Sequence, residues 1–300
     1  MDHFTRNGLT FDVTDSGPAD GEAVVLLHGW PQDRHAFDRV IPLLTAAGYR
    51  ALAFDQRGYS PGAQPKPVGA YAMADLVGDV AGLLDAAGLD RAHLVGHDWG
   101  GAVAWATAER LPGRLRSLTV LSTPHHRAMF EALRRPQQLS KSWYMLAFQV
   151  PVLPELVLKS TLEQVLRRSG LPAPDAHRYA ARFRQGRTSS GSLAWYRALG
   201  GAELAGATSR LRGIVPRVMG GAGASGTEPG AVSAGEARRI TVPTTYVWGN
   251  QDVALGRAAA LATASWVSAD YRFVELDAGH WLPETRPHDV AAAILERAGS

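Results

Sequence analysis

Two carboxylates and a histidine stand where they could carry out hydrolysis. Asp98 is the middle residue of Gly96-His97-Asp98-Trp99-Gly100 in "LVGHDWGG" (94–101). Asp252 follows in "VWGNQDVAL", and His280 near the end in "DAGHWLPE". A serine in the position of Asp98 would need a base to become a nucleophile, whereas a carboxylate is already anionic at neutral pH. Against an ester or amide a carboxylate would give an anhydride. It suits displacement at a saturated carbon, which leaves an alkyl ester on Asp98. His280 is then free to take a proton from water, and the hydroxide attacks the ester carbonyl. Asp252 would orient His280 and stabilise its cation. The chemistry points to a leaving group on an sp³ carbon: an epoxide oxygen or a halide.

Such residues need a scaffold, and the chain supplies one in pieces. Apolar runs bounded by turns occur at 23–29, 51–58, 91–97 and 114–123, and again at 241–249 and 271–279. Helical patterns lie between the early runs, at about 33–47, 72–88 and 99–111. Alternation of this kind predicts a mostly parallel sheet flanked by helices. Asp98, Asp252 and His280 each follow a predicted strand, where ligands gather in open α/β sheets. The glycine-flanked turn at Asp98 joins strand to helix, the setting of a nucleophile elbow. The competing reading, an aspartate capping the helix "WGGAVAWATAERL", rests on that turn alone. Nucleophile, acid and histidine also come in the order of the α/β-hydrolase fold. After the first apolar run, His28-Gly29-Trp30-Pro31 could offer the Trp30 backbone N–H, and Trp99 the other, to a developing oxyanion. The plain alternative there is a Gly-x-Pro turn with His28 as a structural hydrogen-bonding residue. We expect a core of 1–124 and 239–300 interrupted by a helical cap, 125–238. That cap ends in a Gly-rich connector, "GGAGASGTEPGAVSAG".

Composition narrows the function further. The 300 residues are 46% hydrophobic and 20% charged, ordinary for a globular chain. The net charge of +3 is scattered, which argues against nucleic acid as a partner. No cysteine is present, so disulfides, thiolate metal sites and a cysteine nucleophile are excluded. No apolar run approaches a membrane span and the first residues lack a signal-like apolar stretch, so a cytoplasmic location is the expectation. Gly221, Gly223 and Gly226 fit G-x-G-x-x-G, but between Pro216 and Pro229 they lack the strand and helix of a dinucleotide site. His125 and His126 do not read as metal ligands: adjacent histidines on a helix point apart, and no carboxylate sits at ligand spacing. Neither cofactor nor metal is expected. Glu131 is a rival for the triad acid but lies well into the cap.

Together "HGWP", "DQRGYS", "GHDWGG", "WGNQD" and "GHW" resemble the α/β-hydrolase superfamily, and within it the aspartate-nucleophile branch of soluble epoxide hydrolases and haloalkane dehalogenases. The resemblance covers the core and parts of the insertion. Tyr144 in "KSWYMLAFQVP" and Tyr196 in "LAWYRAL" match the two cap tyrosines that, in epoxide hydrolases, bond to and protonate the epoxide oxygen. Without the resemblance, both read as packing residues of an aromatic-rich helix. On the same basis His28, Trp143, Phe148, Trp195 and Trp281 are candidates for the substrate pocket. The implied partner is a small apolar epoxide, and the implied assembly a monomer or homodimer. A haloalkane dehalogenase is the alternative, although the turn residue is Trp30 where those enzymes place Asn, and Trp99 occurs in both groups. A non-catalytic ligand-binding homologue is the third reading; an intact nucleophile, acid and base argue against it. The connector is longer and richer in glycine than the resemblance implies.

Overall fold

The computed structural model describes residues 1–133, 143–199 and 239–300. An eight-stranded sheet forms the frame. Its strands are β1 (His3–Arg6), β2 (Leu9–Ser16), β3 (Ala23–Leu27), β4 (Arg50–Phe54), β5 (Ala92–His97), β6 (Leu115–Leu121), β7 (Thr244–Gly249) and β8 (Tyr271–Leu276). They lie in the order β1-β2-β4-β3-β5-β6-β7-β8. From β4 to β8 every pairing is parallel, while β1 and β2 join antiparallel.

The expected apolar runs are the central strands, trimmed at their ends. β3 and β7 are buried along their whole length, as parallel strands covered on both faces must be. The residues after β4, Asp55–Gly58, are a buried polar loop rather than strand. The N-terminal hairpin was not expected from the alternation. Its signal is Asn7-Gly8, whose φ angles of 50° and 74° form the two-residue turn that suits a twisted hairpin.

Helices cover both faces. α1 (Ile41–Ala46), α2 (Met73–Ala86) and α3 (Trp99–Arg110) occupy the predicted early positions. One apolar cluster, with Trp105 and Tyr246, fills the space between the sheet and α2 and α3. A second, with Phe37 and Leu44, lies on the opposite face. Between β6 and β7 the described residues are helical: α4 (His126–Leu133), α5 (Trp143–Ala147), α6 (Leu153–Arg168), α7 (Ala173–Phe183) and α8 (188–199). Helices α5 to α8 share a third cluster, with Phe148, Tyr179 and Tyr196, against which Trp30 and Trp99 of the core pack. After β7 come α9 (Arg257–Ala262), α10 (Leu282–Thr285) and α11 (Pro287–Ala298). The Gly-rich connector, with Gly221, Gly223 and Gly226, lies outside the described residues. No described helix is long and apolar enough to cross a membrane.

Candidate active site

Asp98 occupies the turn from β5 into α3 with φ 51° and ψ −119°, a strained backbone for a non-glycine residue. The strain persists because the turn is packed too tightly to relax. A Cβ on Gly100 would come within 2.2 Å of the Leu27 carbonyl oxygen, and one on Gly96 within 2.3 Å of the Gly100 oxygen. Glycine at both positions lets α3 start directly over β3 and β5. Asp98 makes no cap bond to its own helix, so the capping alternative is not the one adopted. Its side chain keeps 17% exposure, open on one side to a cavity.

Asp252 follows β7 and His280 follows β8. The His280 Nδ1 lies 2.8 Å from Asp252 Oδ2, and its Nε2 lies 3.5 Å from Asp98 Oδ2. The backbone N–H groups of Ala254 and Leu255 donate to Asp252 Oδ1 at 2.7 and 3.0 Å, which fixes the carboxylate. Glu131, the rival acid, is an exposed residue on α4. Burial acts to lower the His280 imidazole, yet the two flanking carboxylates outweigh it and raise it well above its ordinary value. Burial likewise acts to raise Asp98, but the His280 bond and charge and the Trp30 N–H hold it below the usual carboxylate range. Both shifts favour the carboxylate–imidazolium form of the pair.

The Trp30 backbone N–H donates to Asp98 Oδ1 at 2.8 Å. Trp99 is the first residue of α3, where a backbone N–H has no intrahelical acceptor. The loop that carries Trp30 is held from behind. His28 Nε2 accepts from the Gln56 N–H at 3.1 Å, and the Gln56 side chain donates to the His28 carbonyl at 2.5 Å. His28 is thus a buried brace, not part of the cavity wall.

The cavity, about 280 Å³, is bounded by Asp98, Trp99, Tyr144, Tyr196 and apolar residues such as Met129 and Phe130. Tyr144 comes from α5 and Tyr196 from α8, with ring centroids 6.2 Å apart. Burial is the main cause that raises both phenols far above their ordinary value; Asp98 adds to it in each. Both remain neutral donors at any physiological pH. Phe148, Trp195 and Trp281 stand behind this wall. Phe148 packs on Tyr196 at 5.0 Å. The Trp195 indole donates to the Arg57 carbonyl at 2.8 Å, and that of Trp281 to Ser169 Oγ at 3.0 Å. Trp143 opens α5, and its side chain lies outside the described part.

Comparisons with known proteins fit this architecture. The family model for the alpha/beta hydrolase fold matches residues 22–287. The chain belongs to the α/β-hydrolase fold family. It is 33% identical to the AB hydrolase superfamily protein YfhM of Bacillus subtilis, over 97% of this chain and 94% of that protein. It is 30% identical to Epoxide hydrolase A of Mycobacterium tuberculosis, again over 97% and 94%. The crystal structure of Epoxide Hydrolase A from Mycobacterium thermoresistibile superposes with a TM-score of 0.75 at 27% identity, covering 98% of this chain and 96% of that one.

This α/β-hydrolase also has a polar layer beneath its triad that the sequence motifs did not reveal. His97, next to the nucleophile, places Nε2 2.9 Å from the His280 carbonyl and Nδ1 2.8 Å from Gln32 Oε1. Gln32 Oε1 also accepts the Gly29 N–H at 2.7 Å, and Gln32 Nε2 donates to Glu284 Oε1 at 2.7 Å. The Tyr179 hydroxyl of α7 donates to the same Glu284 oxygen at 2.8 Å. Burial raises the Glu284 carboxyl to about 7. Gln32 follows the quoted "HGWP" and His97 lies inside "GHDWGG", but apart from Gly29 their partners in this layer are more than sixty residues away. The expectation that His125 and His126 point apart is also corrected. His125 precedes α4 instead of lying on it, and the two rings stack at 4.3 Å.

Proposed function

We propose that this α/β-hydrolase is an epoxide hydrolase that opens an epoxide to a vicinal diol through an alkyl ester on Asp98. One observation carries the reading: two neutral phenols, Tyr144 and Tyr196, share a cavity with an aspartate in the nucleophile position. A halide leaves as a stable anion and needs no proton. An epoxide oxygen leaves as a basic alkoxide and does, and buried phenols are suited to supply it. Relatives named epoxide hydrolases over nearly the whole chain support the same reading.

The geometry suggests how the steps divide. Asp98 Oδ1 is anchored on the Trp30 N–H, so Oδ2 attacks the epoxide carbon. That C–O bond forms as the ring C–O bond breaks, and a phenol protonates the leaving oxygen. The proton returns to the phenolate from the His280 imidazolium, leaving His280 neutral. Esterification removes one of the two anions that had kept His280 protonated, so its pKa falls as it is needed as a base. His280 then deprotonates water, which attacks the ester carbonyl carbon. The charge collects on Oδ1, where the Trp30 N–H already sits, and collapse releases the diol and restores the Asp98 carboxylate. The cavity follows one face of α3, through Asp98, Ala102, Ala106 and Glu109. At 1.5 Å rise per residue this is about 16 Å. An elongated apolar substituent on the epoxide fits such walls.

A panel of aromatic and aliphatic epoxides and haloalkanes, scored for diol or halide, tests the reading. His280→Gln extends it. Alkylation should proceed and hydrolysis stop, so mass spectrometry should find the protein heavier by one substrate. An inactive variant of unchanged mass would refute the two-step scheme.

A further inference from the structure

Glu109, His125 and His126 lie away from the triad and take no part in the proposed chemistry. Glu109 is near the end of α3, His125 lies in the link between β6 and α4, and His126 is the first residue of α4. Both imidazoles turn Nε2 toward one carboxylate oxygen. Glu109 Oε1 is 3.3 Å from His125 Nε2 and 3.6 Å from His126 Nε2, and the three ligand atoms lie within 4.8 Å of one another. We propose that these three side chains bind a divalent transition-metal ion of the zinc class at the rim of the substrate cavity.

The spacing is the first argument. Four donors around zinc at bond lengths of about 2.0–2.1 Å are separated by about 3.4 Å along the edges of a tetrahedron. The two distances to Glu109 match that separation; the His126 ring, stacked on His125 at 4.3 Å and 30°, must turn on its partly exposed side chain to aim its lone pair at the same ion. The second argument is an unmet need. His125 is fully buried, and its Nε2 has no hydrogen-bond partner: the 3.3 Å approach to Glu109 is not aligned as one. Native structures seldom leave a buried polar atom in that condition without a reason. Third, the ring is held in place. Trp266 stacks on it at 5.6 Å and 9°, Trp105 meets it edge-on at 5.3 Å, and the Thr263 hydroxyl accepts its backbone N–H at 3.1 Å.

A plain ion pair accounts for less. One carboxylate cannot neutralise two imidazolium ions stacked 4.3 Å apart, and two neutral rings would crowd their nitrogens around one oxygen without full bonds. Two imidazoles and one carboxylate favour zinc, cobalt or nickel over magnesium or calcium, which prefer oxygen donors. Binding at His125 Nε2 puts the ring proton on Nδ1 and releases its long 3.3 Å contact with the Arg127 N–H. Arg127 is exposed, so water can take over that N–H. Glu109 and His126 both border the cavity, so the remaining coordination positions open toward it, where water or an oxygen donor of a bound molecule completes the shell.

The experiment is a titration of tag-free, chelator-treated protein with zinc by calorimetry and with cobalt by visible absorption. Wild type should bind one equivalent, give the strong cobalt absorption of a four-coordinate site, and melt at higher temperature with zinc. His126→Ala and Glu109→Gln should each weaken binding at least tenfold and lose the thermal shift, with circular dichroism confirming that they are folded. The exposed His177–Glu163 pair is a competing surface site, and His177→Ala should leave zinc binding unchanged. The proposal is overturned if wild type binds no tighter than His126→Ala, or if His177→Ala alone abolishes binding.

Discussion

Removing the hydroxyl of Tyr144 and of Tyr196 separates epoxide from halide chemistry. Tyr196 is buried among aromatic rings, with centroids 4.8 Å from Trp99, 5.0 Å from Phe148 and 6.1 Å from Trp30. Phenylalanine keeps those contacts, so Tyr196→Phe and Tyr144→Phe should fold and melt near the wild-type temperature. What each loses is one donor to a developing alkoxide. A hydrogen bond to a charged group contributes about 1.5–3 kcal/mol. At 1.36 kcal/mol per tenfold, each single variant should slow alkylation by roughly 10- to 150-fold. The remaining phenol still donates in each single variant. In the double variant the oxygen must leave as a bare alkoxide in an apolar cavity, and the loss should reach at least the full general-acid contribution of about 10²–10⁴-fold. Single-turnover mixing with enzyme in excess, quenched in acid and read by mass, isolates the alkylation step from ester hydrolysis. Full epoxide turnover by a folded double variant would remove the tyrosines from the mechanism. Rapid halide release by that variant would move the enzyme to the dehalogenase side.

Two further predictions test the site from other directions. If the proposed alkyl ester forms, a single turnover in ¹⁸O water should give unlabelled diol, with its new oxygen from Asp98; labelled diol would mean that water attacks directly, with Asp98 as its base. Glu284→Gln tests the buried layer. The folded state keeps a proton on Glu284 up to about pH 7, whereas the unfolded chain releases it near 4.5. Native protein therefore binds more protons across that window, and wild-type stability should fall by about 3 kcal/mol as pH rises through it. Glutamine cannot ionise but still offers an oxygen to Gln32 and Tyr179. Denaturant unfolding at pH 5 and pH 7.5 should show a flatter profile for the variant, and equal slopes would place the proton elsewhere.

The sequence by itself determined the sheet's central strands, the turn that presents Asp98, and the order of the triad. Those features are local. A buried parallel strand is a run of apolar residues, and a strained turn squeezed between strand and helix needs glycines beside it, so both are written in consecutive residues. The N-terminal hairpin was equally local and visible in Asn7-Gly8, though polar residues around it masked the strands. The function of His28 was open in sequence between brace and pocket. The approach of Gln56, in the loop after β4, supports the brace, and that contact could not be read from the residues around His28. Tertiary structure alone joined Gln32, His97, Glu284 and Tyr179 into one hydrogen-bonded layer, since a buried polar atom takes whichever partner the fold delivers and leaves no period in the chain. The same holds for Glu109. A rule about adjacent histidines on a helix set His125 and His126 apart; the helix begins one residue later than that rule assumed, and α3 brings the carboxylate to meet both rings.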